Sequence, residues 1–217
     1  MPWTHAGSVA VIVAQQFNSA ILSQLWLVRN EILRDEEFQE GSIFSDVVVQ
    51  VRSTPFQMLV LPDQLQMVPT VSRDQEQEIL LQRLGRLVRE LPHTPYRALG
   101  LNFAWHLTPA DGNIARLSRD MFFVPNRPLH QSFGEENAHF GGYLSKDILG
   151  FRLKLDVKPL IVSLEGGRVE NRLHFGFNYH FDLQEDAARQ IEERLQHWNE
   201  VRQESERIVD SIERRQQ

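Results

Sequence analysis

Between residues 173 and 183 the chain alternates without a break. The odd positions are Leu173, Phe175, Phe177, Tyr179, Phe181 and Leu183, and the even ones are His174, Gly176, Asn178, His180 and Asp182. Successive side chains of a strand point to opposite faces, so this stretch has to bury one face and show the other to water. A parallel sheet, covered on both sides, reads instead as a continuous apolar run. The pattern therefore predicts an antiparallel sheet with helices on one face only. Two other stretches agree with it. Phe151, Leu153, Leu155 and Val157 alternate with Arg152, Lys154, Asp156 and Lys158, while Leu99, Leu101, Phe103, Trp105 and Leu107 alternate with Gly100, Asn102, Ala104 and His106.

The chain reads as two similar halves, residues 1–94 and 95–217. Val9, Val11 and Val13 open the first as an alternating strand, and the Leu99 strand opens the second. Each opening strand leads into a helical pattern: Phe17, Ile21, Leu25, Val28 and Ile32 in the first half, and the shorter stretch 114–122 in the second. Clustered strands follow, at 46–52, 56–61 and 65–69, then at 150–157, 160–164 and 169–183. A helix closes each half. The expected fold is α+β, with two strand–helix–strands–helix units arranged like the TATA-binding protein. Their strands would form one antiparallel sheet backed by helices. The second unit carries an inserted loop, 124–143, and a long final helix, 184–214, with Asp182 as its N-cap and Glu185 at N3.

The stretch 56–68, the helix after it, and Tyr96-Arg97-Ala98-Leu99-Gly100-Leu101-Asn102-Phe103 resemble a sporadically distributed family of uncharacterised bacterial proteins. Those proteins run from a strand pair through an amphipathic helix into a strand of the form Arg-x-x-Gly-Leu-x-Tyr-x-Asn. The matching residues here are Arg97, Gly100, Leu101 and Asn102, with the asparagine two places early. The resemblance spans roughly residues 56–103. It implies a bacterial origin and a two-half α+β fold, and no activity comes with it.

Composition narrows the function. The chain has 217 residues, 41% of them apolar and 24% charged, as a globular protein requires. It has no cysteine, which removes disulfides, thiolate metal sites and cysteine nucleophiles. The net charge is −6, with residues 1–94 at −4 and residues 95–217 at −2. Neither half has the basic excess that drives nucleic-acid binding, so nucleic acid is an unlikely partner. No Lys or Arg precedes the short apolar run 9–14, and no run reaches 18 apolar residues, so neither a signal peptide nor a membrane span is expected. The expected location is cytoplasmic.

The polar positions of the alternating strands supply the candidate site. If those strands are neighbours, Asn102, His106, Arg152, Lys154, Asp156, His174, Asn178 and His180 share one surface. A metal is not expected. His174 and His180 are six residues apart, roughly 20 Å along a strand, and His180 with Asp182 would need His106 from a second strand. No Gly-x-Ser-x-Gly elbow and no phosphate-cradling glycine loop is present, so no catalytic residue and no cofactor is assigned. At the end of the final helix, Ile208, Val209 and Ile212 return after a polar stretch at 202–207. They read as a partner contact on a projecting segment.

Two functional readings follow. One is a non-catalytic protein-binding or assembly protein, engaging another protein or a second copy of itself through the sheet face, the 124–143 loop and the final helix. The other is an enzyme or small-ligand binder using His106, His174 and His180 beside Arg152. A close-packed histidine trio in a pocket favours the second, and an open face favours the first.

Overall fold

The computed structural model describes residues 3–213. In chain order the elements are β1 (Trp3–Ala14), α1 (Gln24–Arg29), β2 (Ile43–Phe44), β3 (Val49–Arg52), β4 (Phe56–Val60) and β5 (Gln64–Pro69). There follow α2 (Glu76–Ile79), a π-helical turn (Leu80–Leu84), α3 (Gly85–Glu90), β6 (Tyr96–Leu107), α4 (Ile114–Phe122) and α5 (Pro128–Gln131). The chain ends with β7 (Gly142–Ile148), β8 (Phe151–Ser163), β9 (Val169–Asp182), α6 (Ala187–Leu195) and α7 (Trp198–Glu213). The strands form one sheet in the order β2-β3-β4-β5-β1-β6-β9-β8-β7. Every neighbouring pair is antiparallel. The fold is α+β, as the alternation requires. No helix among the described residues is long and apolar enough to cross a membrane.

One face of the sheet is the core. Leu99, Leu101, Phe103 and Trp105 of β6, Leu173, Phe175, Phe177 and Tyr179 of β9, and Phe151, Leu153 and Val157 of β8 are all buried. The helices lie against them through Leu80, Leu84, Leu87 and Val88, through Ile114 and Leu117, and through Ile191, Leu195, Trp198 and Val201. Each such side chain contributes about 1.5–3 kcal/mol when fully buried. The Trp198 and Phe103 rings sit 4.6 Å apart and tilted, joining the last helix to the central strand.

β1 inverts the expected pattern. Ala10, Ile12 and Ala14 are buried in the core, whereas Val9, Val11 and Val13 lie on the opposite face. The run is apolar at every position, so alternation alone cannot choose a face. Register with β6 decides: Val9 pairs with Asn102 and Val11 with Gly100, both on the open side.

The single stripe expected across residues 17–32 is broken. Ser23 accepts a hydrogen bond from the Trp26 amide at 3.2 Å, which starts α1 at that point. As a result Ile21 and Leu25 are exposed, Leu22, Leu27 and Leu33 are buried in their place, and Phe17 and Ile32 are buried as the stripe requires.

β8 runs unbroken through Pro159, where two strands were expected. β7 pairs with β8 only as far as Val157, so the missing proline N–H faces no neighbour. The 124–143 segment is shorter than expected, because β7 takes its last two residues and α5 forms inside it. What remains packs on α4. The Phe140 amide donates to Ser118 Oγ at 3.0 Å, and the Arg119 guanidinium lies over the Phe123 and Phe140 rings.

The final helix is two helices, α6 and α7, separated at Gln196 and His197. It begins at Ala187, after Asp186 in a left-handed conformation (φ 60°), and Asp182 ends β9 without capping it. It does not project either. Val209 is buried, and Ile208 and Ile212 pack against the protein's own core. The stripe continues through the polar stretch because Arg202, Glu204 and Ser205 within it are themselves buried and partnered. Ser205 meets the Tyr179 hydroxyl at 2.9 Å, and Arg202 reaches Glu76 at 3.1 Å. Burial pushes the Tyr179 hydroxyl's pKa up.

Candidate functional site

Strand pairing sets the polar residues in rows across the open face. One row runs Val11, Gly100, His180, Arg152, Asp147, and the next runs Val9, Asn102, Asn178, Lys154, Ser145. The third is Gly7, Ala104, Gly176, Asp156, Tyr143, and the fourth is Thr4, His106, His174, Lys158. The residues expected to share a surface therefore do share one.

The third row has almost no side chain over its three central strands. The result is a trough running across the strands, walled by the rows on either side. It is a shallow depression of about 630 Å³ whose lining includes Gly7, Val9, Val11, Gln66, Val68, Asn102, Ala104, His174, Gly176 and Asn178. A wider recess of about 810 Å³ lies at the strand ends by Gln15, Gln16, Asn18 and Asp46, with no His, Lys or Arg in its lining.

Glycine shapes the trough at two points. A Cβ at Gly176 would meet His174 Nε2 at 2.9 Å, so glycine there lets the imidazole lie down over the floor. A Cβ at Gly100 would meet Asn178 Nδ2 at 3.2 Å and Asn102 Nδ2 at 3.3 Å. The two asparagines are joined: Asn178 Nδ2 donates to Asn102 Oδ1 at 2.5 Å, and Asn102 Nδ2 donates to the Val9 carbonyl at 3.3 Å.

The histidines occupy two separate places. His106 Nε2 lies 3.2 Å from His174 Nδ1, and Arg172 stands 3.4 Å from the other nitrogen of His106. Burial lowers the pKa of both imidazoles. His174 and Arg172 add to the effect at His106, and Lys158 adds to it at His174. Each shift favours the uncharged imidazole, which lets one ring nitrogen donate and the other accept across the contact. His180 sits at the opposite end, 3.1 Å from Asp182, with Arg152 as its register partner. Arg152 is held by Asp147 at 3.1 Å and Ser145 at 2.8 Å. His106, His174 and His180 thus form no trio.

The arrangement does not suit a metal ion either. Only two ligand nitrogens meet here, His106 Nε2 and His174 Nδ1 at 3.2 Å, and they face each other in a hydrogen bond. Among the described residues no group of three or more His, Asp or Glu converges.

The charged half of the face is paired almost throughout. Lys158 bonds Asp156 at 2.6 Å, Arg172 pairs with Glu170, and Arg152 with Asp147. Arg172 and Glu170 were not among the expected residues, although the β9 alternation extends to them. In the aliphatic and amide half, Val9 and Val11 were missed because the face of β1 was misassigned, and Gln66 and Val68 of β5 come onto the open face through their pairing with β1. No protein-family model matches the chain, and comparisons with curated proteins and with solved structures return no match.

Proposed function

We propose that this is a binding protein that engages a macromolecular partner on the open face of its sheet. The observation that carries the reading is the one-sided burial. Along residues 8–14 of β1, 99–107 of β6, 151–157 of β8 and 173–179 of β9 every second residue is sealed in the core, and most of the residues between are left partly exposed across the central strands. Soluble proteins seldom leave so broad a surface of small aliphatic and amide side chains without a use for it. Chemically, the face offers valines and glutamines on one side and closely paired charges on the other, a mixture suited to a protein surface. The separation of His180 and Arg152 from His106 and His174 supports binding over the small-ligand reading.

The same sheet supports a duplicated architecture. The order β3-β4-β5-β1 is met by β7-β8-β9-β6, so that the opening strand of each half lies at the centre. On this reading the trough forms at the junction of two related units, as in the arrangement of the TATA-binding protein.

The test is capture from the native host with three baits: the wild-type chain, Ala104→Arg in the trough floor, and Gln203→Arg on exposed α7. A specific partner should be held by the wild type and Gln203→Arg and lost with Ala104→Arg, at unchanged thermal stability. Retention by all three baits would refute the open-face reading.

A further inference from the structure

The two edges of the sheet differ. At one edge β7 pairs with β8 through seven consecutive residue pairs without a bulge and, among the described residues, has no strand on its other side. Its sequence, Gly-Tyr-Leu-Ser-Lys-Asp-Ile, contains no proline, and Tyr143 and Leu144 are 65% and 53% exposed. The helical layer reaches it at its ends and at one lysine: Phe122 of α4 lies over Gly142, Ile148 packs against the core, and Lys146 bonds Glu204 at 3.2 Å. A regular edge like this presents a row of backbone donors and acceptors ready for another strand.

We propose that β7 pairs antiparallel with β7 of a second copy of this chain, about a two-fold axis at Ser145. The surface is separate from the trough and does not depend on the open-face reading.

The strand's own sequence favours a copy of itself. In an antiparallel pair, residues directly opposite share a face, so a two-fold axis perpendicular to the sheet must pass through a residue position. With the axis at Ser145, Tyr143 meets the partner's Asp147, Leu144 meets the partner's Lys146, and Ser145 meets its equivalent. Each contact occurs twice, and no like charges are opposed. Moving the axis to Lys146 would set two lysines against each other. At Ser145 the Leu144 side chain packs on the aliphatic stem of lysine, and the tyrosine ring covers the carbon chain of the aspartate.

Because the chain has no cysteine, the register can be tested with single thiols. Directly opposed residues have Cα atoms about 4.5–5.5 Å apart, inside the disulfide range of about 4.4–6.8 Å. Equivalent residues one pair off the axis are diagonal neighbours at about 7–8 Å, outside it. Ser145→Cys should give a disulfide-linked dimer under mild oxidation, and Leu144→Cys and Lys146→Cys should not. In sedimentation the wild type should dimerise at tens of micromolar. The Tyr143→Ser/Leu144→Ser double variant, with its fold checked by circular dichroism, should weaken the dimer about tenfold. A wild type that is monomeric at about 100 µM with Ser145→Cys uncrosslinked would overturn the proposal and leave the edge to an extended segment of another protein. A dimer in which Ser145→Cys fails to crosslink, or in which all three thiols crosslink equally, would overturn it as well.

Discussion

Arg202→Met isolates the junction that holds the last helix down. Arg202 lies in α7 with its side chain 11% exposed, and it donates to Glu76 Oε2 at 3.1 Å and to the Arg73 carbonyl at 2.6 Å. Glu76, in the first turn of α2 and 7% exposed at its side chain, also accepts from Trp198 Nε1 at 2.9 Å. One carboxylate therefore ties two donors of the C-terminal helix to the closing helix of the first half. Removing the guanidinium leaves a buried carboxylate with one neutral donor, at a cost of about 3–5 kcal/mol. Removing both charges, in Glu76→Leu/Arg202→Met, leaves only neutral groups unpaired: the Trp198 N–H at about 1–3 kcal/mol and the Arg73 carbonyl at about 1 kcal/mol. The double variant should then lose about 2–4 kcal/mol, well short of the sum of the singles. The assay is urea unfolding of the four chains, followed by tryptophan fluorescence and by far-UV circular dichroism, with coincident transitions required. If Arg202→Met costs under about 1 kcal/mol, or if the two substitutions simply add, the charge network is not what fastens this helix.

Three further outcomes are expected. Val209→Asp puts a carboxylate into the core at a residue only 2% exposed, and should cost about 2–4 kcal/mol in the same unfolding assay; a near-neutral result would mean the helix end projects after all. Arg152→Ala and His180→Ala, on the open face, should each change stability by less than about 0.5 kcal/mol, read by thermal melting, because the Arg152–Asp147 ion pair and the His180–Asp182 hydrogen bond are solvent-exposed. His5 stands 3.1 Å from Ser8 Oγ, and burial with nearby Arg73 and Arg202 holds its pKa down at about 4. The unfolded chain thus takes up the proton first as the pH falls. Stability present above pH 6.5 should decline towards pH 4, and His5→Gln should flatten that slope in urea midpoints measured across the range.

Where the residues alternate between clearly apolar and clearly polar, the face of each strand could be read directly: β6, β8 and β9 present the expected sets. Where every position is apolar, as at residues 9–14, alternation is silent and cross-strand register settles the face. β7 escaped notice because at the sheet's edge the helices cover it only in part, so its seven residues show no regular burial period. The end of α7 was misread for the opposite reason. Arg202, Glu204 and Ser205 are as buried as the apolar stripe they interrupt, and their partners, Glu76, Lys146 and Tyr179, are distant in sequence. The open-face residues of the second half were legible as a set, but the histidines' separation into two places was not. That separation depends on which strand residues stand opposite one another, and spacing within one strand cannot supply it.

The unequal edges of the sheet also bear on how far assembly can go. A fibril grows only if each added chain offers a fresh template on its far side. Here the far side ends in β2, two residues long, beside a β3 of four. Two chains joined along β7 would turn these stubs outward at both ends, where too few backbone groups remain in line to recruit a third. The long edge can therefore stay sticky without endangering solubility, because any joining it permits stops at two.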